Sequence, residues 1–135
     1  VIYAVNCLDV ANRLSLDEVE AALPRFEKIS PVFGRSLGWG ALGCTDWPIK
    51  TTHPQVKISG EGAPPIVVIG TTRDPATPYE WAQSLSKQLA SGVLISREGD
   101  GHTAYMSKNQ CITKAVDDYL VDGTVPKDGL LCKAE

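Results

Sequence analysis

Apolar positions along the chain change their spacing part-way through. In the first part, Val1–Val5 (VIYAV) is a short apolar run and a candidate strand. Ser15-Leu16-Asp17-Glu18 has the S-x-x-E form of a capping box. Leu16, Val19, Leu23 and Phe26 then fall near one helical face. Pro24 stands inside that pattern and is expected to kink or end the helix. Residues 29–54 have little periodicity and many glycines, and read as ordered loop held by Cys44, with Trp39 and Trp47 as apolar anchors.

The second part is more regular. Ile66-Val67-Val68-Ile69 is an unalternated β-branched run, the pattern of a strand buried on both faces of a parallel sheet. Gly70 to Pro75 reads as a turn. Thr77-Pro78-Tyr79-Glu80 is a second capping box, with Pro78 at the first helical position, where its missing N–H costs nothing. Trp81, Leu85 and Leu89 follow at helical spacing, and Ser91-Gly92 ends the helix. Val93–Ser96 is a second strand, and Gly99-Asp100-Gly101-His102 is a loop. Ser107-Lys108-Asn109-Gln110 forms a third capping box; its helix buries Ile112, Ala115, Val116, Tyr119 and Leu120 before Gly123 stops it. The order is that of a β-α-β-α unit with a crossover. The chain therefore divides into residues 1–54, helix and ordered loop, and residues 55–135, an α/β unit.

Composition narrows the classes. The chain has 135 residues, 43% hydrophobic and 21% charged, with a net charge of -3 and its signs interspersed. No basic block suggests nucleic acid. No apolar stretch approaches the roughly 20 residues needed to cross a bilayer. The four cysteines, at 7, 44, 111 and 132, form no CxxC pair, and His53 and His102 lie far apart, so no zinc site is expected. The cysteine spacing suggests two clusters and favours Cys7–Cys44 and Cys111–Cys132, with four buried free thiols as the alternative. Disulfides would mean an oxidising compartment.

Asp74 follows the first core strand and His102 the second. In a parallel sheet, reactive groups gather beyond the carboxyl ends of strands. Adjacent strands would place these loops side by side and bring a carboxylate to an imidazole. Such a carboxylate sets the ring's tautomer and stabilises the imidazolium formed when the other nitrogen takes a proton. The plainer alternative is a helix-capping Asp74 and a surface His102.

The stretch APPIVVIGTTRDPATPYEWAQSLSKQL, followed by REGDGHTAY, resembles the tripeptidyl-aminopeptidase-like branch of the α/β-hydrolases. In that family the triad acid sits in an xxDPxTP loop and the histidine in a GxGH loop; here those positions are Asp74 and His102. Cys7-Leu8-Asp9, Cys44-Thr45-Asp46-Trp47-Pro48, and the ending with Tyr119-Leu120, Gly123, Pro126 and Cys132 are similar to further parts of the family pattern. The resemblance implies a disulfide-bearing, cap-derived segment followed by the C-terminal β-α-β-α part of an α/β-hydrolase fold. It also implies a secreted or cell-envelope serine peptidase that removes short N-terminal peptides, with no metal or organic cofactor. Chain order in this fold is Ser, Asp, His, so the nucleophile would lie in a missing N-terminal portion.

Gly34-Arg35-Ser36-Leu37-Gly38 matches G-x-S-x-G, but a nucleophile elbow needs a strand before it and a helix after. Ile29–Phe33 is short and broken by Pro31, so Ser36 reads as a loop serine. His53 reads as a solvated loop residue. Asp9 reads as structural, beside Cys7; its rival role is to pair with a substrate's ammonium group. Two other functions compete: a secreted binding module that keeps the hydrolase shape without its chemistry, and an esterase or lipase. The partners expected are a peptide substrate and the missing portion. The isolated chain is expected to pair through its open sheet edge or to swap domains.

Overall fold

The computed structural model describes residues 1–9, 13–49, 51 and 56–134. They form two compact units, Val1–Val56 and Lys57–Glu135.

The first unit is helical. Helix α1 spans Ile2–Asp9, α2 Leu16–Ile29 and α3 Gly34–Trp39, and a 3-10 turn follows at Gly40–Cys44. The apolar run at Val1–Val5 is thus not a strand. Its β propensity is overridden by the anchoring of Cys7, fully buried and joined to Cys44 by a disulfide. Arg13 donates to the backbone carbonyls of Cys7, Trp47 and Ile49 and fastens the segment after the 3-10 turn.

The capping box of α2 forms as expected. The Ser15 amide donates to Glu18 Oε2 at 2.7 Å, and the Glu18 amide to Ser15 Oγ at 3.3 Å. Pro24 does not end α2, which runs on to Ile29. Val19 and Leu23 are buried before the proline and α3 closes on the Phe26 backbone after it, while the side chains of Leu16 and Phe26 are more open. Residues 34–44, expected to be loop, are α3 and the 3-10 turn. The close approach of α3 to α2 explains their glycines. A Cβ on Gly34 would lie 2.1 Å from the Phe26 carbonyl oxygen, and one on Gly38 would lie 2.8 Å from Leu23 Cδ2.

The second unit is a three-stranded parallel sheet in the order β1-β2-β3, with β1 Ile66–Arg73, β2 Gly92–Asp100 and β3 Leu130–Cys132. Helix α4 (Tyr79–Gln88) connects β1 to β2, and α5 (Gln110–Asp122) connects β2 to β3. The register pairs Ile66 with Gly92 and Ile69 with Ile95. A Cβ on Gly92 would lie 2.1 Å from the Ser86 carbonyl oxygen, so only glycine lets β2 start this close to α4. Ile95, Ala104, Ile112, Val116 and Cys132 make the core, and the Cys111–Cys132 disulfide ties α5 to β3.

Two helix starts differ from expectation. Asn109, not Ser107, caps α5: its side chain accepts from the Ile112 amide at 3.0 Å, while Ser107 Oγ turns back to the Ala104 carbonyl. Thr77 does not cap α4, whose N-cap is Pro78. Leu120 is exposed rather than buried, as are Trp81 and Leu85 on α4.

Candidate active site

Parallel pairing of β1 and β2 places Arg73 opposite Asp100, so the loops that follow leave the sheet side by side. Between Thr71 and Arg73 the register slips, and β2 spends one more residue than β1. Gly99 occupies that slip with φ 153. Its amide donates to Thr72 Oγ1 at 3.1 Å.

Asp74 and His102 meet at the ends of these strands. Nδ1 of His102 lies 3.1 Å from Oδ1 and 2.9 Å from Oδ2 of Asp74. The carboxylate is otherwise saturated. Oδ1 accepts from the amides of Ala76 at 2.8 Å and Thr77 at 2.9 Å. Oδ2 accepts from Thr77 Oγ1 at 2.8 Å and the Thr103 amide at 3.3 Å. The Thr77 hydroxyl is turned toward Asp74 and accepts from no α4 amide; it stands 3.3 Å from His102 Nδ1.

Exposure separates the two partners. The Asp74 side chain is 3% exposed and that of His102 is 52% exposed. Burial alone would push the Asp74 carboxyl up. The Thr77 amide, His102, the Ala76 amide and the Thr77 hydroxyl outweigh it and hold the carboxyl far below the usual carboxylate range. An ionised carboxylate can only accept hydrogen bonds, and the Thr77 hydroxyl proton points to Oδ2. The bridging proton therefore belongs to Nδ1, which leaves the Nε2 lone pair free to act as a base.

The histidine loop is held in an uncommon conformation. Thr103 has φ 67 and Gly101 has φ 104. Thr71, buried in β1, donates its hydroxyl to the Thr103 carbonyl at 3.1 Å. Beside the pair runs a mostly apolar cavity of about 410 Å³, lined by Asp74, Thr77, Trp81, Leu85 and Tyr105 among others. Among the described residues, no group of three or more His, Cys, Asp or Glu side chains could hold a metal ion.

The structure thus brings Asp74 and His102 together. It places Ser36 in the other unit, exposed on α3, with its Oγ donating to the Phe33 carbonyl at 3.2 Å. Among the described residues no strand precedes Ser36, and the flanking glycines serve helix packing, so the segment does not have the form of an elbow. Asp9 closes α1 and is exposed. His53 lies outside the described residues. The sequence reading missed Thr71, Thr77 and Thr103. A threonine three residues after the acid was a usable signal, but it fits a helix cap equally well.

The sequence profile of the family described as TAP-like protein matches residues 30–132, a span that includes both loops. The chain belongs to the TAP-like family of α/β-hydrolases. Serine protease Hip1 and Carboxylesterase B, both of Mycobacterium tuberculosis, are each 36% identical to it over 132 residues, covering 96% of this chain and 25% of theirs. Tripeptidyl aminopeptidase of Streptomyces lividans is 30% identical over 130 residues, covering 96% of this chain and 24% of its own. The chain spans about a quarter of the length of the curated relatives it matches. Within the family, the α/β content, the parallel sheet and the two disulfides agree with the expected fold.

Proposed function

We propose that this chain supplies the acid and the base of a Ser-His-Asp triad in a secreted serine peptidase that releases short peptides from N-termini. The observation that carries the reading is the contact between a saturated, ionised Asp74 and His102 Nδ1. In this mechanism His102 Nε2 takes the proton of an attacking serine hydroxyl and later gives it to the leaving amine. Asp74 holds the ring in the required tautomer and stabilises the imidazolium without itself taking the proton. The serine and the backbone N–H groups of the oxyanion hole come from polypeptide outside these residues. The length of the relatives and the absence of an elbow among the described residues support that assignment.

Relatives named as a serine protease and a tripeptidyl aminopeptidase favour amide substrates. The relative named Carboxylesterase B supports a second reading, ester hydrolysis by the same pair. Two disulfides support an oxidising, extracellular setting. The deciding experiment compares tripeptidyl anilides with small acyl esters, using the complete polypeptide and its Asp74→Asn and His102→Ala forms. Anilide turnover that both substitutions reduce supports the peptidase. Turnover of esters alone transfers the reading to an esterase, and turnover indifferent to His102 removes it.

A further inference from the structure

The loops that carry Asp74 and His102 are joined a second time, outside the pair itself. Arg73, the residue before Asp74, grips Asp100, two residues before His102. Its Nε donates to Oδ1 at 2.7 Å and its Nη2 to Oδ2 at 3.0 Å. From within β2, Arg97 Nη1 donates to the Asp100 backbone carbonyl at 2.9 Å. Each side chain of the Arg73–Asp100 pair biases the other toward its charged form: the arginine holds the Asp100 carboxyl down, and the carboxylate raises the guanidinium.

As a source of stability this pair is weak. Its side chains are 56% and 81% exposed, and exposed ion pairs contribute little. Its place in the chain gives it another use. Asp100 stands between Gly99 and Gly101, both at positive φ. Glycines leave a loop many courses to take, so contacts must choose among them. A bidentate guanidinium–carboxylate fork specifies orientation as well as distance. Here it joins the two residues at which the parallel ladder resumes after the slip in register, immediately before the strands give way to the Asp74 and His102 loops.

We propose that the Arg73–Asp100 fork, braced by Arg97, is a positioning clamp that sets how His102 meets Asp74. The inference rests on the reading of Asp74 and His102 as acid and base. A displacement of about 1 Å would carry the 2.9 Å contact beyond hydrogen-bonding range, and misplacement of that size can cost roughly 100-fold in rate.

The test reads the His102 ring directly and needs no substrate. In the complete polypeptide labelled with nitrogen-15 histidine, the ring nitrogen shifts at neutral to mildly alkaline pH report which nitrogen carries the proton; His102→Gln assigns the signal. In the unsubstituted chain His102 is expected to be mainly the Nδ1–H tautomer. R73Q and D100N should each lower the ratio of Nδ1–H to Nε2–H by about threefold or more, the effect of weakening one hydrogen bond. R35Q breaks the exposed Arg35–Glu27 pair of the other unit and should leave the ratio unchanged. D100N alters a largely exposed side chain, so it serves if R73Q folds poorly. An unchanged ratio in D100N, with the amide spectrum intact, overturns the clamp. A proton found on Nε2 in the unsubstituted chain overturns instead the acid–base reading beneath it.

Discussion

Thr71 reaches from the interior of β1 to the residue after His102: its hydroxyl donates to the Thr103 carbonyl at 3.1 Å. Thr103 has φ 67, a conformation a threonine holds only when its surroundings impose it. Its amide in turn donates to Asp74 Oδ2 at 3.3 Å. One buried hydroxyl therefore steadies the backbone that presents both members of the pair.

Thr71→Val keeps the shape of the side chain and removes the donor. The variant should lose roughly 1–2 kcal/mol, because the Thr103 carbonyl is left short of a partner. Urea unfolding of the two forms checks this. Equal midpoints would show that Thr71 is only a packing residue.

Asp74→Asn should alter the dependence of stability on pH in a defined direction. The folded Asp74 carboxyl titrates far below its unfolded value. Its contribution is therefore complete above the unfolded carboxylate pKa of about 4 and fades only as pH falls toward the folded value. The deficit of the variant should be largest near neutrality and shrink in acid. Denaturation at neutral pH and at about pH 3 checks it, and a deficit that grows in acid contradicts the assignment.

Both disulfides should matter to stability by restricting the unfolded chain. The bridges span 37 and 21 residues, so removing either is expected to cost about 3–4 kcal/mol by chain entropy. Cys132→Ser should separate β3 from α5 and open the Ile95–Ile112 core. Thermal melts with and without reductant report the effect, and coincident melts would contradict it.

What was legible in the sequence followed from periodicity. The β-branched run at 66–69 and the apolar spacings after it gave two parallel strands and their helices, and the crossover alone put Asp74 near His102. What was not legible depends on contacts between distant segments. Val1–Val5 reads as a strand until Cys7 is pinned to Cys44. Gly34 and Gly38 read as loop, or as part of an elbow, until α2 is seen pressed against them. Leu130–Cys132 is too short to stand out, and becomes a strand because Asp128 and Gly129 bond the backbone of Leu94. Thr77 matches a capping box but serves the carboxylate, since the local pattern does not reveal whether its hydroxyl will accept from a helix amide or donate to Asp74.

Among the described residues strand β1 pairs only with β2, and Trp81 and Leu85 on α4 are 62% and 46% exposed. Open edges and large apolar patches favour association. By itself, this chain should sediment as an oligomer at micromolar concentration, and Trp81→Glu should shift it toward monomer. A monodisperse, cooperatively melting monomer would contradict the expectation.

Asp74 and His102 are proposed to serve a serine that is not Ser36. Treating the complete polypeptide with a fluorophosphonate and mapping the adduct by mass spectrometry tests this directly. Stoichiometric labelling of one serine outside these 135 residues is expected. That labelling should survive Ser36→Ala and fall by about a thousandfold or more in rate with His102→Ala. An adduct on Ser36, or labelling indifferent to His102, would contradict it.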